Sequence, residues 1–237
     1  MAQTIDRKAF FEGVKGPLFG GRFTPTQVQS IDDILDALAE FKVTEPSHVG
    51  YVFATAMWEV GKALAPVREG WAKTDAQAIK HVEALFRKGV IKRNYAVLIN
   101  GVSYFGRGFV QLTWEENYRK AGAALGLPLL EKPEMALQSK IAARILVWGM
   151  VTGAFRNKRL SDYRHGDYYK MREIINGDKA RKVKLPNGKF TNVGTVIATN
   201  AGYFERAVVL VDTEKAAAYN APSLWARGKA ALKSIFS

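Results

Sequence analysis

The chain has 237 residues, enough for one large domain or for a main lobe with a smaller one. Its composition, 48% hydrophobic and 24% charged, is typical of a globular protein with a buried core and excludes a disordered chain. The absence of cysteine excludes disulfides, thiolate metal sites and a cysteine nucleophile. A formal net charge of +13 indicates a polyanionic partner without specifying its kind.

No segment has the pattern of a membrane span. The most apolar stretch, Ile145–Phe155, is far shorter than the roughly 20 residues needed to cross a bilayer. Met1–Lys8 carries charges and lacks an apolar centre, so it does not resemble a signal peptide. We therefore expect a soluble protein that is synthesised in the cytosol.

Helical patterns dominate the sequence. Thr24-Pro25 opens a segment with apolar residues at helical spacing up to Leu38, and Thr113 and Glu116 have the spacing of a capping box. The further predicted helices are Pro46 to about Gly61, Asp75–Lys88, Trp114 to near Gly126, Ser139–Thr152, Tyr168–Ile175, Gly194–Asp212 and Ser223–Phe236.

Strand signals are few. Lys182–Thr191 alternates loosely around the turn signal Pro186-Asn187-Gly188 and predicts a small hairpin. There is no internal repeat, low-complexity tract or Ser/Gly linker, so one continuous domain is expected. The fold class predicted from these patterns is mainly α.

Glu59 is the acidic residue with the most unusual neighbours. On a helix its own face would carry Val52, Thr55 and Ala56. Partial desolvation on such a face favours the protonated form of a carboxyl group, which a general acid needs. The alternative is a glutamate in the last turn of the helix that points to solvent.

Glu69 follows ten residues later, after a segment that contains Gly61 and Pro66, and it is predicted to lie in a loop. Arg68 beside it favours the ionised form of the carboxylate, as a general base requires. Two carboxylates, one protonated and one ionised, are what the hydrolysis of a glycosidic bond needs.

The segment Ser103–Trp114 combines turn-forming glycines, a lone arginine and a Gln/Thr pair before a helix. It is not a phosphate loop, because the third glycine and the following lysine are missing. Tyr104–Tyr118, YFGRGFVQLTWEENY, resembles the signature Y-[YF]-G-R-G-x-x-Q-L-[ST]-W-x-x-N-Y of glycoside hydrolase family 19, which includes chitinases and phage endolysins.

The resemblance extends to both sides of this signature, over roughly residues 30 to 210. Met57–Gly61 resembles the end of the family's helix that holds the catalytic acid, and Val67–Gly70 resembles the element that holds the second carboxylate. Ile174–Gly177 resembles the family's Ile-Asn-Gly-Gly. The sequence departs from the family at three positions, where Trp58, Gly70 and Asp178 replace histidine, asparagine and glycine.

The resemblance implies a lysozyme-like or chitinase-like helical fold: a single domain, 1–237, of two lobes, with the smaller one within 62–103. It implies that Glu59 is the general acid and Glu69 the general base, that the reaction inverts the anomeric configuration, and that no cofactor or metal takes part. The remaining positions that match family site residues are Thr113 for holding the attacking water, and Gln111, Asn117 and Asn176 for binding sugar or positioning water. Tyr104 and Trp114 are candidates for stacking on sugar, with packing in the core as the alternative for at least one of them. Arg107 either orders the site by pairing with a carboxylate or has a purely structural role.

The net charge of the protein helps to choose between candidate substrates. Chitin is neutral and gives no reason for a charge of +13, and plant chitinases of the family are secreted and cysteine-rich. We therefore expect a phage-type endolysin, made in the cytoplasm of a host bacterium and released to the wall. It would cleave the β-1,4 bond between N-acetylmuramic acid and N-acetylglucosamine and lyse the cell. The expected partners are peptidoglycan and an anionic cell-wall or outer-membrane surface, with no nucleic acid, and the expected state is a monomer.

Three alternatives remain open. A chitinase is the nearest, and a lytic transglycosylase, with a single catalytic glutamate and an anhydro-sugar product, is the second. A non-enzymatic polyanion binder would need only the charge. Two basic segments also allow two interpretations each: Lys179–Lys189 as a rim that contacts an anionic wall or as a solvated hairpin, and Ser223–Phe236 as a core helix or as a helix on an anionic membrane.

Overall fold

The computed structural model describes residues 3–213, and helices make up most of them. The helices are α1 (Arg7–Phe19), α2 (Pro25–Glu40), α3 (Pro46–Val60), α4 (Asp75–Arg87), α5 (Glu115–Leu125), α6 (Ser139–Thr152), α7 (Tyr168–Met171) and α8 (Val193–Arg206). Six short strands form three antiparallel pairs: β1 (Gln3–Ile5) with β6 (Leu210–Asp212), β2 (Val67–Arg68) with β3 (Arg107–Gly108), and β4 (Lys182–Lys184) with β5 (Phe190–Asn192). The predicted mainly α fold with minor hairpins is confirmed.

Local signals place several of these boundaries correctly. Before α2, the Thr24 hydroxyl accepts a hydrogen bond from the Gln27 amide, and the Gln27 side chain accepts one from the Thr24 amide. This reciprocal cap fixes the first turn of the helix. α3 ends at Gly61, where φ is +74°, a backbone angle that glycine adopts without strain. The predicted bounds of α6 and the β4–β5 hairpin also match the structure.

The predicted capping box at the start of α5 is wrong. The Thr113 hydroxyl donates to the Gln111 carbonyl oxygen at 2.7 Å and does not cap the helix. α5 instead begins at Glu115, after Trp114 with φ of +74°. The segment before the helix is therefore a tight turn that is held by its own side chains.

The predictions for the two last described helices are wrong at their ends. α7 stops at Met171 and continues as a 3₁₀ turn, Arg172–Ile174. α8 stops at Arg206 because Leu210–Asp212 pairs with Gln3–Ile5 at the other end of the chain. α1 was not predicted at all, and the predicted helix Ser223–Phe236 lies outside the described residues.

α3 is buried along almost its whole length and packs against α8, α6 and α7. Phe53 of α3 contacts Phe10 of α1 and Phe204 of α8, with ring centroids 4.8 and 5.1 Å apart. Such close aromatic packing adds to the free energy gained from burial. The last turn of α3, which carries Glu59, is therefore part of a rigid core.

Two smaller apolar clusters accompany this core. One surrounds α5 and α6, and the other joins Ala78 and Val82 of α4 to Ala96 and Phe105. The second cluster falls largely within the predicted smaller lobe, 62–103, although the division into lobes stays a prediction. Within residues 3–213, no helix is both long and apolar enough to cross a membrane.

Gly50 sets the distance between α3 and α8. A Cβ at this position would lie 2.6 Å from the Ala201 carbonyl oxygen and 3.0 Å from the Glu205 amide nitrogen. Both of these atoms belong to the backbone of α8, so the contact cannot be relieved by rotating a side chain. The close approach of the two helices therefore requires glycine.

We predict that Gly50→Ala lowers the free energy of unfolding by about 1–3 kcal/mol, because the added methyl group overpacks this contact. Gly16→Ala in α1 is the matched control, since a Cβ there meets no atom within 4 Å. The control should be neutral or should stabilise by up to about 1 kcal/mol. Denaturant unfolding of both variants measures the difference, and equal stabilities would contradict the assigned packing.

Candidate active site

Glu59 lies in the last turn of α3, one residue before the helix ends. Its side chain is 18% exposed, and its Oε1 accepts a hydrogen bond from the Nη1 of Arg172 at 2.5 Å. The neighbours along the helix are apolar, as predicted. The prediction of a largely apolar surrounding is nevertheless wrong, because the fold brings a guanidinium group from a distant segment to this carboxylate.

Arg172 is the centre of a chain of charges. Its side chain is only 2% exposed, and its Nε donates to Asp178 Oδ1 at 2.7 Å. Asp178 Oδ2 accepts from the Nε of Arg181 at 3.0 Å. Burial opposes the charge of Arg172, yet Glu59 and Asp178 outweigh it and raise the pKa of Arg172. Burial likewise opposes the charge of Asp178, but the two arginines lower the pKa of its carboxyl group.

Glu69 is held by a different set of donors. It begins a 3₁₀ turn, Glu69–Trp71, directly after β2. Its Oε2 accepts from the Gly106 amide at 3.0 Å, and its Oε1 accepts from the Tyr95 hydroxyl at 3.1 Å. Burial, followed by the charge of Glu69 and the hydrogen bond to it, raises the pKa of Tyr95, so the phenol keeps the proton that it donates.

The backbone at Gly106 fits tightly beneath this carboxylate. A Cβ on Gly106 would collide with Glu69 Oε2 and would lie 2.7 Å from Gln111 Oε1. The glycine of the signature therefore lets two polar side chains converge on one stretch of backbone. The side chain of Arg68 binds a different carboxylate, because its Nε donates to Asp75 at 2.6 Å.

Three polar residues of the signature hold the turn between β3 and α5. Gln111 Nε2 donates to the carbonyl oxygens of Val67 and Gly108, at 3.1 and 3.3 Å. The Thr113 hydroxyl donates to the Gln111 carbonyl oxygen, and Asn117 Nδ2 donates to the Thr113 carbonyl oxygen, both at 2.7 Å. These bonds join the turn to β2, directly before Glu69. Contacts with sugar or water stay predictions for these residues.

Asn176 lies on the other side of the site, exposed to solvent between Arg172 and Asp178. Its backbone amide donates to the Arg172 carbonyl oxygen at 2.9 Å. The exposed side chain is free to meet a ligand, and its predicted role in binding substrate stays a prediction.

Two predicted substrate-binding residues occupy the interior instead. Tyr104 is 6% exposed, packs against Tyr118 and donates to the Leu130 carbonyl oxygen, so its ring offers no face to a sugar. Arg107 is fully enclosed and binds Asp75 at 2.9 Å as well as the Ser103 carbonyl oxygen. Arg107 thus pairs with a carboxylate, and its enclosed guanidinium is not placed to bind substrate directly; its role in ordering the site stays a prediction.

Sequence reasoning missed Tyr95, Arg172 and the role of Asp178. Arg172 stands three residues before Ile175-Asn176-Gly177 and is flanked by Met171 and Glu173. Asp178 was noted as a departure from the family, and its pairing with Arg172 explains why an acid fits there. No local pattern marks Tyr95. Among residues 3–213, no group of three or more His, Asp or Glu is arranged to hold a metal ion.

Comparison with known proteins relates this geometry to one family. Residues 89–177 match the family model of glycoside hydrolase family 19, described as chitinase class I. An endochitinase from Arabidopsis thaliana is 47% identical over 49 residues, which cover 20% of this chain and 17% of that protein. An inactive chitinase-like protein from Hevea brasiliensis is 33% identical over 69 residues, or 29% and 22% of the two chains. The matches thus span about a fifth of these relatives.

The fold extends the likeness beyond the matched segments. The crystal structure of a bacterial family 19 chitinase superposes with a TM-score of 0.52 at 20% identity, over 85% of this chain and 93% of that one. At this identity the superposition shows a common fold. Residues 89–177 are therefore similar in sequence to glycoside hydrolase family 19, and the chain shares its fold with a family 19 chitinase over most of its length.

Proposed function

We propose that the protein is a glycoside hydrolase that cleaves β-1,4 bonds in a polysaccharide containing N-acetylglucosamine. The observation that carries the proposal is a pair of glutamates in contrasting settings. Glu59 ends a buried helix against a guanidinium group, whereas Glu69 accepts hydrogen bonds from a phenol and a backbone amide. Acid/base hydrolysis of a glycoside requires two carboxyl groups, one that protonates the leaving oxygen and one that activates water.

In the proposed reaction, Glu59 gives its proton to the glycosidic oxygen while the bond from that oxygen to the anomeric carbon breaks. Glu69 takes a proton from a water molecule whose oxygen forms the new bond to the same carbon. Attack from the opposite face inverts the anomeric configuration. Proton exchange with solvent then returns both carboxyl groups to their starting states.

Thr113 is proposed to hold the attacking water. Its hydroxyl donates its proton to the Gln111 carbonyl oxygen, so its lone pairs remain free to accept a hydrogen bond from water. Gln111 ties the same turn to the strand that precedes Glu69. A water molecule that donates one hydrogen bond to Thr113 and one to Glu69 would be held at two points.

The relatives favour chitin as the substrate, since the matched plant proteins are named endochitinases. The bond cleaved would then join two N-acetylglucosamine units. Chitin carries no charge, and the binding of its strands would rest on hydrogen bonds and on stacking against exposed rings such as Trp114.

Peptidoglycan is the second candidate, and the observation in its favour is the net charge of +13. Its peptide carboxylates would attract such a protein, whereas chitin would not. The bond cleaved would join N-acetylmuramic acid and N-acetylglucosamine. If peptidoglycan is the substrate, the protein is an endolysin that is made in the host bacterial cytoplasm and acts on the wall after release.

We predict that Glu59→Gln reduces the rate of cleavage by about 10²–10⁴-fold, because glutamine cannot supply the proton. The amide oxygen can still accept from Arg172, so the melting temperature should change little. Glu134→Gln, at an exposed position, is the matched control and should keep full activity. Steady-state hydrolysis of chitooligosaccharides measures the effect, and a folded Glu59→Gln variant within a few-fold of wild type would remove Glu59 from the role.

Glu69→Ala should also lose most activity, because no group then removes the proton from water. Azide needs no base, so it should restore part of the cleavage and leave a glycosyl azide of inverted configuration. Polarimetry or nuclear magnetic resonance of the product identifies the configuration. Full activity without azide would mean that Glu69 is not the base, and an anhydro-sugar product would indicate a transglycosylase.

Mass spectrometry of digests separates the two substrates. We expect hydrated reducing ends from whichever polymer is cleaved, because hydrolysis adds water at the anomeric carbon. A chitinase should release N-acetylglucosamine ends alone and leave peptidoglycan intact, whereas an endolysin should release muropeptides from peptidoglycan at the greater rate. Cleavage of neither polymer by the wild-type protein would contradict the proposed activity.

A further inference from the structure

The outer face of the β4–β5 hairpin carries lysines and an exposed aromatic ring. Lys182 and Lys184 alternate with Val183, which packs against the main core, so the lysines point away from it. Phe190 pairs with Lys184 across the hairpin and lies on the same face. Its side chain, at 71% exposure, is the most exposed of the large hydrophobic side chains within residues 3–213.

The hairpin has an excess of cations over anions. Between residues 179 and 192 there are five Lys or Arg and no acidic residue. Lys179 pairs with Glu173, and Arg181 pairs with Asp178. The other three, Lys182, Lys184 and Lys189, are exposed and have no ion-pair partner among the described residues. Lys182, Lys184 and Phe190, together with Lys189 at the adjoining turn, are called the basic face below.

The basic face is fixed relative to Glu59. At its base, Arg181 binds Asp178, which binds Arg172, which in turn binds Glu59. The Cζ of Arg181 also lies 6.0 Å from the ring centroid of Trp58, the residue before Glu59. The Val193 amide donates to the Arg181 carbonyl oxygen at 3.0 Å and anchors the hairpin to α8. The base of the hairpin is therefore joined to Glu59 by a chain of direct contacts.

We propose that the basic face binds carboxylate groups of an anionic glycan while its sugar backbone is held at Glu59. This inference rests on the proposed glycoside hydrolase function and names the substrate class of the site. Lysine ammonium groups are mobile point charges that suit carboxylates carried on flexible peptide arms. Phe190 supplies an apolar ring for the adjacent sugar. Neutral chitin has no group for the lysines, so the face selects for a carboxylate-bearing strand such as peptidoglycan.

The test measures binding separately from catalysis by using the Glu59→Gln background, in which substrate is not consumed. Into it we place the triple substitution K182Q/K184Q/K189Q, which removes three charges from exposed positions. Cosedimentation with insoluble peptidoglycan and with chitin beads gives the two affinities. At low ionic strength we expect about tenfold weaker binding to peptidoglycan and unchanged binding to chitin. Peptidoglycan with amidated carboxylates should bind both proteins alike.

A matched control removes the same charge from other elements. K8Q/K80Q/K132Q replaces three exposed lysines on α1, on α4 and before Pro133. Both triple substitutions lower the net charge by the same amount. The control should nevertheless weaken peptidoglycan binding far less, because its three lysines lie away from the hairpin. Phe190→Ser should weaken binding to peptidoglycan several-fold without changing its salt dependence. Melting temperatures of all variants should match that of the parent.

Several outcomes would overturn the proposal. The hairpin and control triples could weaken peptidoglycan binding equally, which would assign the effect to net charge alone. An equal loss on chitin and peptidoglycan would make the hairpin a structural element. A loss confined to duplex DNA or to vesicles with anionic phospholipid would assign the face to another polyanion. Failure of the glycoside hydrolase function itself would appear separately, as a wild-type protein that cleaves neither polymer.

Discussion

The buried guanidinium group of Arg172 requires carboxylate partners, and these partners determine how the Glu59 side of the site is arranged. An unpaired charge in the interior costs several kcal/mol, so a buried arginine persists only with partners of opposite charge. Glu59 and Asp178 supply them, one from the end of α3 and one from the approach to the hairpin. The same ion pairs that satisfy Arg172 therefore fix the carboxylate proposed as the acid.

A second buried arginine organises the other side. Arg107 is enclosed by the signature segment itself, with its guanidinium group 3.6 Å from the Phe105 ring centroid. Asp75, at the start of α4, pairs with both Arg107 and Arg68. Burial opposes the charge of Asp75, but the two arginines outweigh it and lower the pKa of its carboxyl group. This cluster joins β2, β3 and α4, and Glu69 extends from its edge towards Tyr95.

The fold was predictable where local physics decides it. Thr24 with Gln27, Gly61 after α3, and the Pro-Asn-Gly turn of the hairpin are effects of neighbouring residues, and each boundary was predicted correctly. The errors occurred where a distant segment competes. α8 stops early because residues near its end pair with the first strand, a contact that no local pattern contains. The failed cap at Thr113 is the exception, because its hydroxyl donates to the carbonyl oxygen of Gln111, only two residues earlier.

The sequence by itself determined the helical class, the absence of cysteine chemistry, the strong positive charge, and the signature that points to Glu59 and Glu69. These properties depend on composition, periodicity and residue order, which folding does not change. Only the tertiary structure decided what touches each carboxylate. Arg172 reaches Glu59 across 113 positions, and Tyr95 reaches Glu69 across 26. The partners of a buried charge depend on which segments the core brings together. They cannot be read from the residues next to either glutamate in the sequence.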